Sequence, residues 1–598
     1  MCGIIAYIGE RNATPILINS LEKLTYRGYD STGIAIKNTT QLNVFKKKGK
    51  IKNIKFPDYK GELGLGHNRW ATHGEPSDRN AHPHTSCNNE IAVVHNGIIE
   101  NYQELKKELD SHIFDSDTDT EVIPHLIEEN LHKGFIEAFQ ETVSRLEGAY
   151  AIVAIKKDED QVLVARKQSP LIIGVGENET FVASDIPAFL EHTDKVIILE
   201  DDETASITKN QLKIMDKNGN EIEKEVREVG WDAEEAEKSG YKHYMLKEIH
   251  EQPRSIRKCI SGRIDEVKGK IELNHEKTLK NNFNGIQVIG CGTSYHAGLY
   301  AKYLFEELAS IPTEVIHSSE YRYKNIARNN YLALTITQSG ETADTLSALK
   351  KAKQHGLKTL ALTNVLGSTA SREADYTTYI KAGPEIGVAA SKTFTSQLTA
   401  LTLLATHLAR QNNNISIQTS KSLLTELRKL PTKIQTVLDN SQKIEKLAEK
   451  HLNSQAHFFI GRNINYPVAL EAALKLKEIS YKHAEGFPAG ELKHGPLALV
   501  QQNTPVIAIA TKDKTYEKTL SNIKEVEARN APTIAIANQN DTEINKYVTQ
   551  TIKIPQTNPI LSPILTTVAL QLYSYHIANK LNRDIDQPRN LAKSVTVE

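Results

Sequence analysis

The sequence predicts a multidomain α/β protein, and three observations support this prediction. The chain has 598 residues, more than one hydrophobic core can organise, so several domains are expected. Short β-rich runs broken by turn residues fill most of residues 3–226, whereas apolar runs alternate with longer amphipathic helices beyond residue 240. A segment of this second part occurs twice, which indicates two copies of one α/β unit with a parallel sheet.

The first third is expected to consist of strands with a few helices. Thr14 is predicted to cap a helix, with Pro15 at its first position and apolar residues following at helical spacing. The predicted strands include Val93 and Val94 and residues 150–155, 161–165, 171–175 and 180–183. This β-rich part is expected to end before residues 231–240, which have the charged composition of a linker.

The internal repeat organises the rest of the chain. Residues 337–364 align without gaps on residues 511–538, a shift of 174 residues. In the first copy the pattern predicts a strand at residues 331–337, a helix at 343–355 and a strand at 359–363. The same order of elements is therefore expected in the second copy.

Charge and cysteine content exclude several classes of function. Lys and Arg total 73 against 74 for Asp and Glu, a net charge of -1, so no basic surface for nucleic acid or an anionic membrane is expected. The apolar run 398–409 is short and interrupted by threonines, which predicts a buried helix and not a membrane span. Four cysteines without C-x-x-C spacing suggest neither a disulfide framework nor a zinc site, and a reducing cytoplasm is expected.

The most informative single residue is Cys2. A small second residue allows Met1 to be removed, which would make Cys2 the N-terminus. Its thiol, with a pKa of about 8.5, and its α-amine, with a pKa of about 7.7 to 8.0, then place a nucleophile and a base on one residue. Cys2 is therefore a candidate N-terminal nucleophile.

Later motifs supply the groups that such a nucleophile needs. Asn96 offers a side-chain N–H and Gly97 a backbone N–H to an oxyanion. Arg69 can bind a carboxylate through two hydrogen bonds, and Asp119 can accept bonds from an α-ammonium group. Asn-Gly is also a common hairpin turn, an alternative that is compatible with the functional interpretation.

Hydroxyl-rich loops in the first repeat predict a phosphate site. Thr293 and Ser294 follow one predicted strand and residues 338–342 follow another, each before a helix. For either loop alone, helix capping by Ser and Thr is an equally good explanation, but two such loops in one repeat favour a phosphate monoester. A dinucleotide is not expected at residues 290–292, because Tyr295 stands where the fingerprint requires a third glycine.

The second copy differs in its chemistry. Its equivalent loop, residues 511–514, reads Thr-Lys-Asp-Lys, so the phosphate site is expected to be lost there. Glu471, Lys475 and Glu478 share one helix face, and spacing alone favours a solvated ion-pair stripe. The last segment of the chain carries Lys593, which is expected to be desolvated and reactive toward a carbonyl if apolar neighbours hold the tail against the body.

Together these residues resemble known families. Residues 2 to about 220 resemble a class II glutamine amidotransferase domain, and residues from about 275 to 588 resemble two sugar isomerase (SIS) domains. The whole chain is similar to the glutamine:fructose-6-phosphate amidotransferase family. The motifs that carry the resemblance are residues 2–4, 26–31, 69–74, 339–345, 491–496 and 591–598.

The resemblance implies a domain order and a reaction. The implied domains are an N-terminal-nucleophile αββα sandwich at 2–220, a linker at 221–250, SIS domains with parallel, flavodoxin-like sheets at 277–416 and 448–588, and an active-site tail at 589–598. The implied reaction converts D-fructose 6-phosphate and L-glutamine into D-glucosamine 6-phosphate and L-glutamate, the first step toward UDP-N-acetylglucosamine. Neither a cofactor nor a metal is implied, and no nucleic acid or membrane partner is expected. The resemblance implies a cytoplasmic homodimer.

The resemblance also implies roles for individual residues. In glutamine hydrolysis the catalytic residues would be Cys2, Asn96 and Gly97, and the glutamine ligands would be Arg69, Thr72, His73 and Asp119. Trp70 would be the gate of an ammonia channel. The sugar phosphate would be bound by Thr293, Ser294, Thr337, Gln338, Ser339, Thr342 and Val388. In the sugar reaction Lys593 would form a Schiff base, and Glu478 would move the proton between C1 and C2. His494 from the other subunit would help to open the ring. Lys475 and Glu471 would support the site.

Two departures and two alternatives qualify this assignment. Thr337 stands where many relatives have serine, and Ala390 removes a serine from a family sugar contact. A phosphoribosyl-pyrophosphate amidotransferase shares the N-terminal domain, but the repeat and Lys593 argue against it. A sugar-phosphate sensor built from SIS domains is the non-enzymatic alternative, and Cys2 together with Arg69 argues against that.

Overall fold

A computed structural model describes residues 2–71, 73–229, 237–273, 283–326 and 330–595. The described residues form two compact units. The first contains the described residues up to 229 with the short segments 341–343 and 594–595, and the second contains those from 237 to 340 and from 344 to 593. Of the predicted linker 221–250, residues 230–236 lie outside the described residues.

The first unit contains two antiparallel sheets. One sheet has the order β15-β11-β9-β10-β1-β4-β2-β3 and the other the order β14-β13-β12-β8-β7-β6-β5. The strands are β1 Gly3–Ile8, β2 Ser31–Lys37, β3 Leu42–Lys48, β4 Leu63–Arg69, β5 His84–Thr85, β6 Ile91–Ile99, β7 Gly148–Lys156, β8 Val162–Lys167, β9 Ile172–Val175, β10 Thr180–Ala183, β11 Lys195–Ile198, β12 Glu203–Ile207, β13 Leu212–Met215, β14 Glu221–Ile222 and β15 Arg227–Glu228. The helices are α1 Ala13–Lys23, α2 Tyr102–Glu108, α3 Val122–Asn130 and α4 Phe135–Arg145.

Successive side chains along a strand point to opposite faces of the sheet, and both faces are apolar. Ala92 and Val94 of β6 pack with Ile4 of β1 in the core between the sheets. Ile91 and Val93, one residue out of phase, pack instead with α3 and α4. Helix α1 covers the outer side of the other sheet, where glycines in β4 allow close approach. The predicted αββα sandwich is therefore confirmed.

The start of α1 differs from the sequence prediction. The helix begins at Ala13, with Asn12 and not Thr14 at the N-cap position, so Pro15 is its third residue. Thr14 is already helical, and its hydroxyl donates to the carbonyl of Tyr59 at 2.7 Å. A tertiary contact thus uses the hydroxyl that the local pattern assigned to the cap.

The second unit contains two five-stranded parallel sheets. Their orders are β19-β18-β20-β21-β22 and β24-β23-β25-β26-β27, which is the flavodoxin-like order 2-1-3-4-5 in each case. The strands are β16 Ile264–Asp265, β17 Lys270–Ile271, β18 Gly285–Gly290, β19 Thr313–His317, β20 Tyr331–Ile336, β21 Lys358–Thr363, β22 Tyr376–Tyr379, β23 Ala456–Gly461, β24 His483–Pro488, β25 Val506–Ile509, β26 Thr533–Asn538 and β27 Gln550–Ile554. The helices are α5 Tyr244–His250, α6 Gln252–Ile260, α7 Gly292–Ala309, α8 Ser318–Tyr321, α9 Ala343–Gln354, α10 Thr369–Glu373, α11 Lys392–Gln411, α12 Ile417–Asp439, α13 Ser441–Glu449, α14 Tyr466–Ser480, α15 Tyr516–Glu527 and α16 Ser562–Lys580.

The sequence repeat corresponds to a structural repeat. A shift of 174 residues carries β20, α9 and β21 onto β25, α15 and β26 to within one residue at every end. Each copy therefore places a strand, a loop and a helix at the carboxyl edge of its sheet, where ligands bind in folds of this kind.

Helix α11 is buried over almost its whole length, as its apolar run predicted. Thr399, Thr402 and Thr406 are accommodated because each donates to the carbonyl four residues earlier, as Thr402 does to Leu398 at 2.8 Å. Among the described residues, no helix is long and apolar enough to cross a membrane.

Candidate active site

The first cluster surrounds Cys2 at the start of β1. The Cys2 thiol sulfur accepts a hydrogen bond from the Trp70 backbone N–H at 3.2 Å. The Cys2 carbonyl accepts one from Asn96 Nδ2 at 2.9 Å and one from Arg27 Nε at 3.2 Å. The amide proposed for the oxyanion hole thus lies next to the proposed nucleophile.

His67 fixes the orientation of Asn96. Its Nε2 lies 3.0 Å from Asn96 Oδ1 and 3.1 Å from the His95 carbonyl, and both of these atoms are acceptors. Burial lowers the pKa of His67 to about 3, so the ring is neutral and must carry its proton on Nε2. Since the Asn96 oxygen faces His67, its amide nitrogen faces Cys2. No role for His67 is predicted from the sequence, although it shares a face of β4 with Arg69.

Gly97 occupies a position that requires glycine. Its φ is +129°, and a Cβ there would lie 1.9 Å from the carbonyl oxygen of Ala149 on β7. The backbone therefore approaches the neighbouring strand directly beside Asn96, which brings a side-chain donor and a backbone donor to consecutive positions.

Arg69 is buried at the end of β4 and half of its guanidinium is engaged. Its Nη2 donates to the carbonyls of His73 and Gly74, the latter at 3.0 Å. Its buried Nη1 has no hydrogen-bond partner among the described residues. Burial lowers the pKa of Arg69, and the charges of Cys2 and Asp119 oppose that shift. A guanidinium stays protonated in such a setting, so Nη1 is a donor suited to a carboxylate.

Asp119 is held from the opposite side of the cluster. It opens the short 3-10 helix Asp119–Glu121, and its Oδ2 accepts from the Ile99 N–H of β6 at 2.8 Å. His73 lies edge-on to the ring of Tyr102, with centroids 5.9 Å apart. Thr72, the remaining predicted glutamine ligand, lies outside the described residues.

Residues 26–29 and Asp185, to which the sequence assigned no individual role, support Cys2 and Trp70. Arg27, which donates to the Cys2 carbonyl, also pairs with Asp185 at 3.3 Å, and the Tyr26 hydroxyl donates to the same carboxylate at 2.5 Å. The indole of Trp70 packs edge-on against Tyr29, with centroids 5.4 Å apart. The segment 26–31 thus positions both the nucleophile and the predicted gate.

In the second unit, α7 and α14 bring charged residues together. Thr293 donates to Glu471 at 3.0 Å, and His296 Nδ1 lies 2.8 Å from the other oxygen of that carboxylate. Lys475 Nζ lies 3.4 Å from Glu471 and 2.6 Å from Glu478, and it donates to Thr293 Oγ1 at 3.2 Å. The solvated stripe favoured by spacing alone is therefore wrong for Glu471 and Lys475, whose side chains are 1% and 2% exposed.

Lys475 remains an ammonium despite its burial. Burial lowers its pKa, but the carboxylates of Glu471 and Glu478 outweigh that effect and raise the pKa above its ordinary value. The pKa of Glu471 is lowered in return, because the Lys475 charge and the His296 hydrogen bond outweigh its burial. A lysine held in this state is a fixed positive charge and not a nucleophile.

The loop at residues 337–342 forms a fixed turn between β20 and α9. Gly340 has a φ of +71°, and its N–H donates to the Thr337 hydroxyl at 3.1 Å. A Cβ on Gly340 would lie 2.1 Å from Ser368 Oγ, so only glycine fits. In the neighbouring loop, Ser294 accepts from Gln397 of α11 at 3.1 Å. The hydroxyls of Thr293, Ser294, Thr337, Ser339 and Thr342 thus all lie in loops or first helical turns that follow the carboxyl ends of parallel strands.

Lys593 is anchored by a carboxylate that sequence analysis did not identify. Its ammonium donates to Glu385 and, at 2.8 Å, to the Gly387 carbonyl. Glu385 is buried, yet its pKa is lowered to about 2 because the Lys593 charge and the N–H groups of Thr393 and Ser391 outweigh the burial. The Lys593 side chain is 5% exposed.

The apolar residues of the tail contribute less to holding it against the body than predicted. Val595 is 55% exposed, and Val597 lies outside the described residues. Val388 is tied to the segment before the tail, since its N–H donates to the Asp586 carbonyl at 3.1 Å. The ion pair of Lys593 and a backbone hydrogen bond from the Ala343 N–H to the Val595 carbonyl, at 3.0 Å, therefore hold this part of the tail.

Glu248 on α5 is a further buried acid beside this lysine. Its Oε1 accepts from the N–H groups of Ile386 and Gly387 at 2.6 and 3.0 Å. Burial and the nearby charge of Glu385 raise its pKa to about 7. Glu248 and Glu385 together shape the segment 385–387 that receives the Lys593 ammonium.

The predicted sugar residues do not all meet. Among the described residues, no hydrogen bond or ion pair joins Lys593 to Glu478. Helix α11 links the Lys593–Glu385 pair to the cluster on α7 and α14, because its Thr393 bonds to Glu385 and its Gln397 bonds to Ser294. His494 is exposed at the end of a short 3-10 helix, and no hydrogen bond to it is present in the described part of the chain.

Comparison with known proteins gives the family. The SIS domain profile matches residues 281–407 and 452–580, and the glutamine amidotransferase domain profile matches residues 67–191. The chain is 50% identical to a glutamine–fructose-6-phosphate aminotransferase (isomerizing) of Methanosarcina acetivorans, and the match covers 100% of both chains. The chain belongs to this aminotransferase family. The family and fold inferred from the sequence motifs are confirmed.

Two further relatives agree. The protein of the same name from Thermus thermophilus is 48% identical over 100% of both chains. The solved C-terminal domain of glucosamine-fructose-6-phosphate aminotransferase from Francisella tularensis matches with a TM-score of 0.56 and 40% identity, covering 59% of this chain and 100% of that one.

The raised pKa of Glu248 predicts a pH-dependent contribution to stability. The folded chain keeps a proton on Glu248 that the unfolded chain releases above its ordinary pKa of 4.5, so stability falls as pH rises from there to about 7 and then levels off. Glu248→Gln removes this loss. We expect the variant to gain about 1 to 3 kcal/mol relative to wild type between pH 5 and pH 8.

Thermal unfolding of both proteins across this pH range measures the effect. Glu527→Gln, which changes an exposed carboxylate on α15 and keeps Glu248, serves as the control and should lose stability with rising pH as wild type does. A difference between Glu248→Gln and wild type that stays constant with pH would contradict the assignment.

Proposed function

We propose that the chain makes D-glucosamine 6-phosphate and L-glutamate from D-fructose 6-phosphate and L-glutamine. The observation that carries the proposal is that one chain of this family combines Cys2 beside Asn96 and Arg69 with a buried lysine, Lys593, in a unit of two SIS domains. The first cluster suits amide hydrolysis, and the second suits covalent capture of a ketose carbonyl.

In the glutamine half, the Cys2 thiolate attacks the side-chain amide carbon. The α-amine of Cys2, free once Met1 is removed, takes the thiol proton and returns it to the leaving ammonia. Asn96 Nδ2 and the Gly97 N–H stabilise the oxyanion, and water then cleaves the thioester to give glutamate. The His67 contact supports this role for Asn96, because it leaves the amide nitrogen directed at Cys2.

Substrate binding in this half is assigned to charges of both signs. The Nη1 of Arg69, for which the described part of the chain offers no hydrogen-bond partner, supports a contact with the α-carboxylate of glutamine, and Asp119 is assigned to its α-ammonium. Thr72 and His73 complete the proposed pocket, and Trp70 is proposed to gate the ammonia. Ammonia kept out of bulk water stays unprotonated and nucleophilic.

In the sugar half, Lys593 forms a Schiff base with the open-chain ketose and releases water. Ammonia from glutamine replaces the lysine on C2, and Glu478 moves a proton between C1 and C2, so that the ketose imine becomes the aldose amine. Lys593 must lose a proton to react, and the adjacent carboxylate of Glu385 is suited to position the ammonium before that step. Lys475, charged and paired with Glu471, supplies fixed positive charge near Thr293.

The phosphate is assigned to the first repeat alone. Ser294, Thr337, Gln338, Ser339 and Thr342 lie where an anion would meet hydroxyls and helix N-termini. In the second repeat the carboxylate of Asp513 already accepts from the Thr515 N–H at 2.7 Å and from Asn465 at 3.0 Å. A negative charge at that position supports the proposal that the second repeat binds no phosphate.

We also propose a cytoplasmic homodimer. The exposure of His494 supports a role at the partner's sugar site, where it would help to open the sugar ring. The four cysteines are unpaired, which supports a reducing compartment.

The two-site assignment predicts a separation of activities. Cys2→Ala should lower glutamine hydrolysis by at least about 10³-fold while sugar-phosphate binding and aldose–ketose isomerisation persist. Chromatography of product from glutamine and fructose 6-phosphate, with calorimetric titration of fructose 6-phosphate, measures both. A folded Cys2→Ala protein that no longer binds the sugar phosphate would contradict two independent sites.

The lysine assignment predicts where an imine forms. Lys593→Arg keeps a positive charge beside Glu385 but cannot form an imine, so synthesis should fall by at least about 10²-fold. Borohydride with fructose 6-phosphate should label wild type on Lys593. Lys475→Arg is the matched control and should still be labelled there, even if its turnover is reduced. Label on Lys475, or full synthesis by Lys593→Arg, would refute the assignment.

The phosphate loop predicts a selective change in substrate affinity. Each hydrogen bond lost to a charged phosphate costs about 1.5 to 3 kcal/mol, so Ser339→Ala combined with Thr342→Ala should raise the KM for fructose 6-phosphate by at least about tenfold. The KM for glutamine should change little. Lys514→Ala, in the equivalent loop of the second repeat, is the control. An unchanged KM for fructose 6-phosphate in the double variant would show that these hydroxyls only cap helices and do not bind the phosphate.

A further inference from the structure

Four residues with metal-binding side chains converge in the first unit. Cys87 lies in the turn between β5 and β6, His112 follows α2, and His125 and Glu128 stand on α3. One donor atom from each lies within 4.8 Å of the others. None of the four takes part in the glutamine cluster around Cys2.

Four of the six distances between the donor atoms fit a tetrahedral ion. Cys87 Sγ lies 3.4 Å from His112 Nδ1 and 3.6 Å from His125 Nδ1. Glu128 Oε2 lies 3.3 and 3.7 Å from the same two nitrogens. Zinc bonds of about 2.0 to 2.3 Å at tetrahedral angles separate N, O and S ligands by about 3.3 to 3.6 Å.

Neighbouring groups orient these ligands as metal sites require. His112 Nε2 lies 2.9 Å from the Glu129 carboxylate, and a proton on Nε2 leaves the Nδ1 lone pair directed at Cys87 and Glu128. The Glu128 carboxylate is held by the backbone N–H groups of Cys87 and Asn88, at 3.0 and 3.3 Å. Two imidazole lone pairs beside a carboxylate repel each other unless a cation lies between them.

We propose that Cys87, His112, His125 and Glu128 bind one zinc ion. A thiolate and two imidazoles favour zinc over magnesium or calcium, and the thiolate with one carboxylate neutralises the two charges of Zn²⁺. Four protein ligands complete the tetrahedron, so the ion is structural and leaves no position for substrate. The separation of the ligands in sequence explains why no metal spacing was recognised: they come from one turn, one loop and one helix.

The ion would join elements that carry the glutamine site. Cys87 precedes β6, the strand of Asn96 and Gly97, and α3 directly follows the 3-10 helix that begins with Asp119. A zinc ion between the turn and α3 therefore fixes Asp119 relative to β6. Loss of zinc is expected to raise the KM for glutamine and to lower the temperature at which this unit unfolds.

The test measures zinc itself. Full-length Cys2→Ala, which removes the only other cysteine of the first unit, is expressed with zinc and analysed by elemental mass spectrometry. We expect about one zinc ion per chain, falling below about 0.2 when Cys87→Ser and His112→Asn are added. His132→Asn, which changes an exposed histidine just beyond α3, is the matched control and should retain the zinc.

Cobalt substitution tests the ligands independently of stability. Co²⁺ added to the metal-depleted chain should give tetrahedral visible bands and a thiolate charge-transfer band, and Cys87→Ser alone should remove the latter. A Cys2→Ala chain that takes up no zinc, or a Cys87→Ser and His112→Asn chain that keeps it, would overturn the proposal.

Discussion

The carboxylate of Glu385 is fully buried, and the sugar half of the protein is organised around it. It accepts bonds from the N–H groups of Ser391 and Thr393 at the start of α11, and it receives the ammonium of Lys593 from the last segment of the chain. A charge removed from water is costly unless hydrogen bonds and an opposite charge replace the solvent. The position of Lys593, and the shape of the segment that receives it, follow from that requirement.

The same requirement is met differently in the two halves. In the second unit, buried charges occur in compensated groups, and Lys475 between Glu471 and Glu478 is the clearest example. Around Cys2, burial instead keeps His67 neutral, so that its N–H orients Asn96 by a hydrogen bond. Fixed charges suit a sugar phosphate, whereas a neutral, oriented amide suits an oxyanion that exists only during the reaction.

Both sites use the edges of sheets, but by different geometry. Parallel strands in the second unit end at one edge, so loops that are far apart in sequence meet there and their helices begin there. In the first unit, Cys2, Arg69 and Asn96 come from neighbouring or facing antiparallel strands. The proposed zinc site links the turn before β6 to α3. Strand β6 carries Asn96, and α3 follows the 3-10 helix that begins with Asp119.

The sequence by itself determined the repeat, the strand and helix order of each copy, and the residues of the family motifs, because these depend on local periodicity and on residue identity. It placed the start of α1 wrongly, since the Thr14 hydroxyl bonds to Tyr59, 45 residues away. It also missed His67, Glu385 and the ligands around Cys87. Each of these acts through a partner distant in sequence, 208 residues away for Glu385 and Lys593. Local patterns carry no record of such partners, so burial and pairing of these groups were decided only by the tertiary structure.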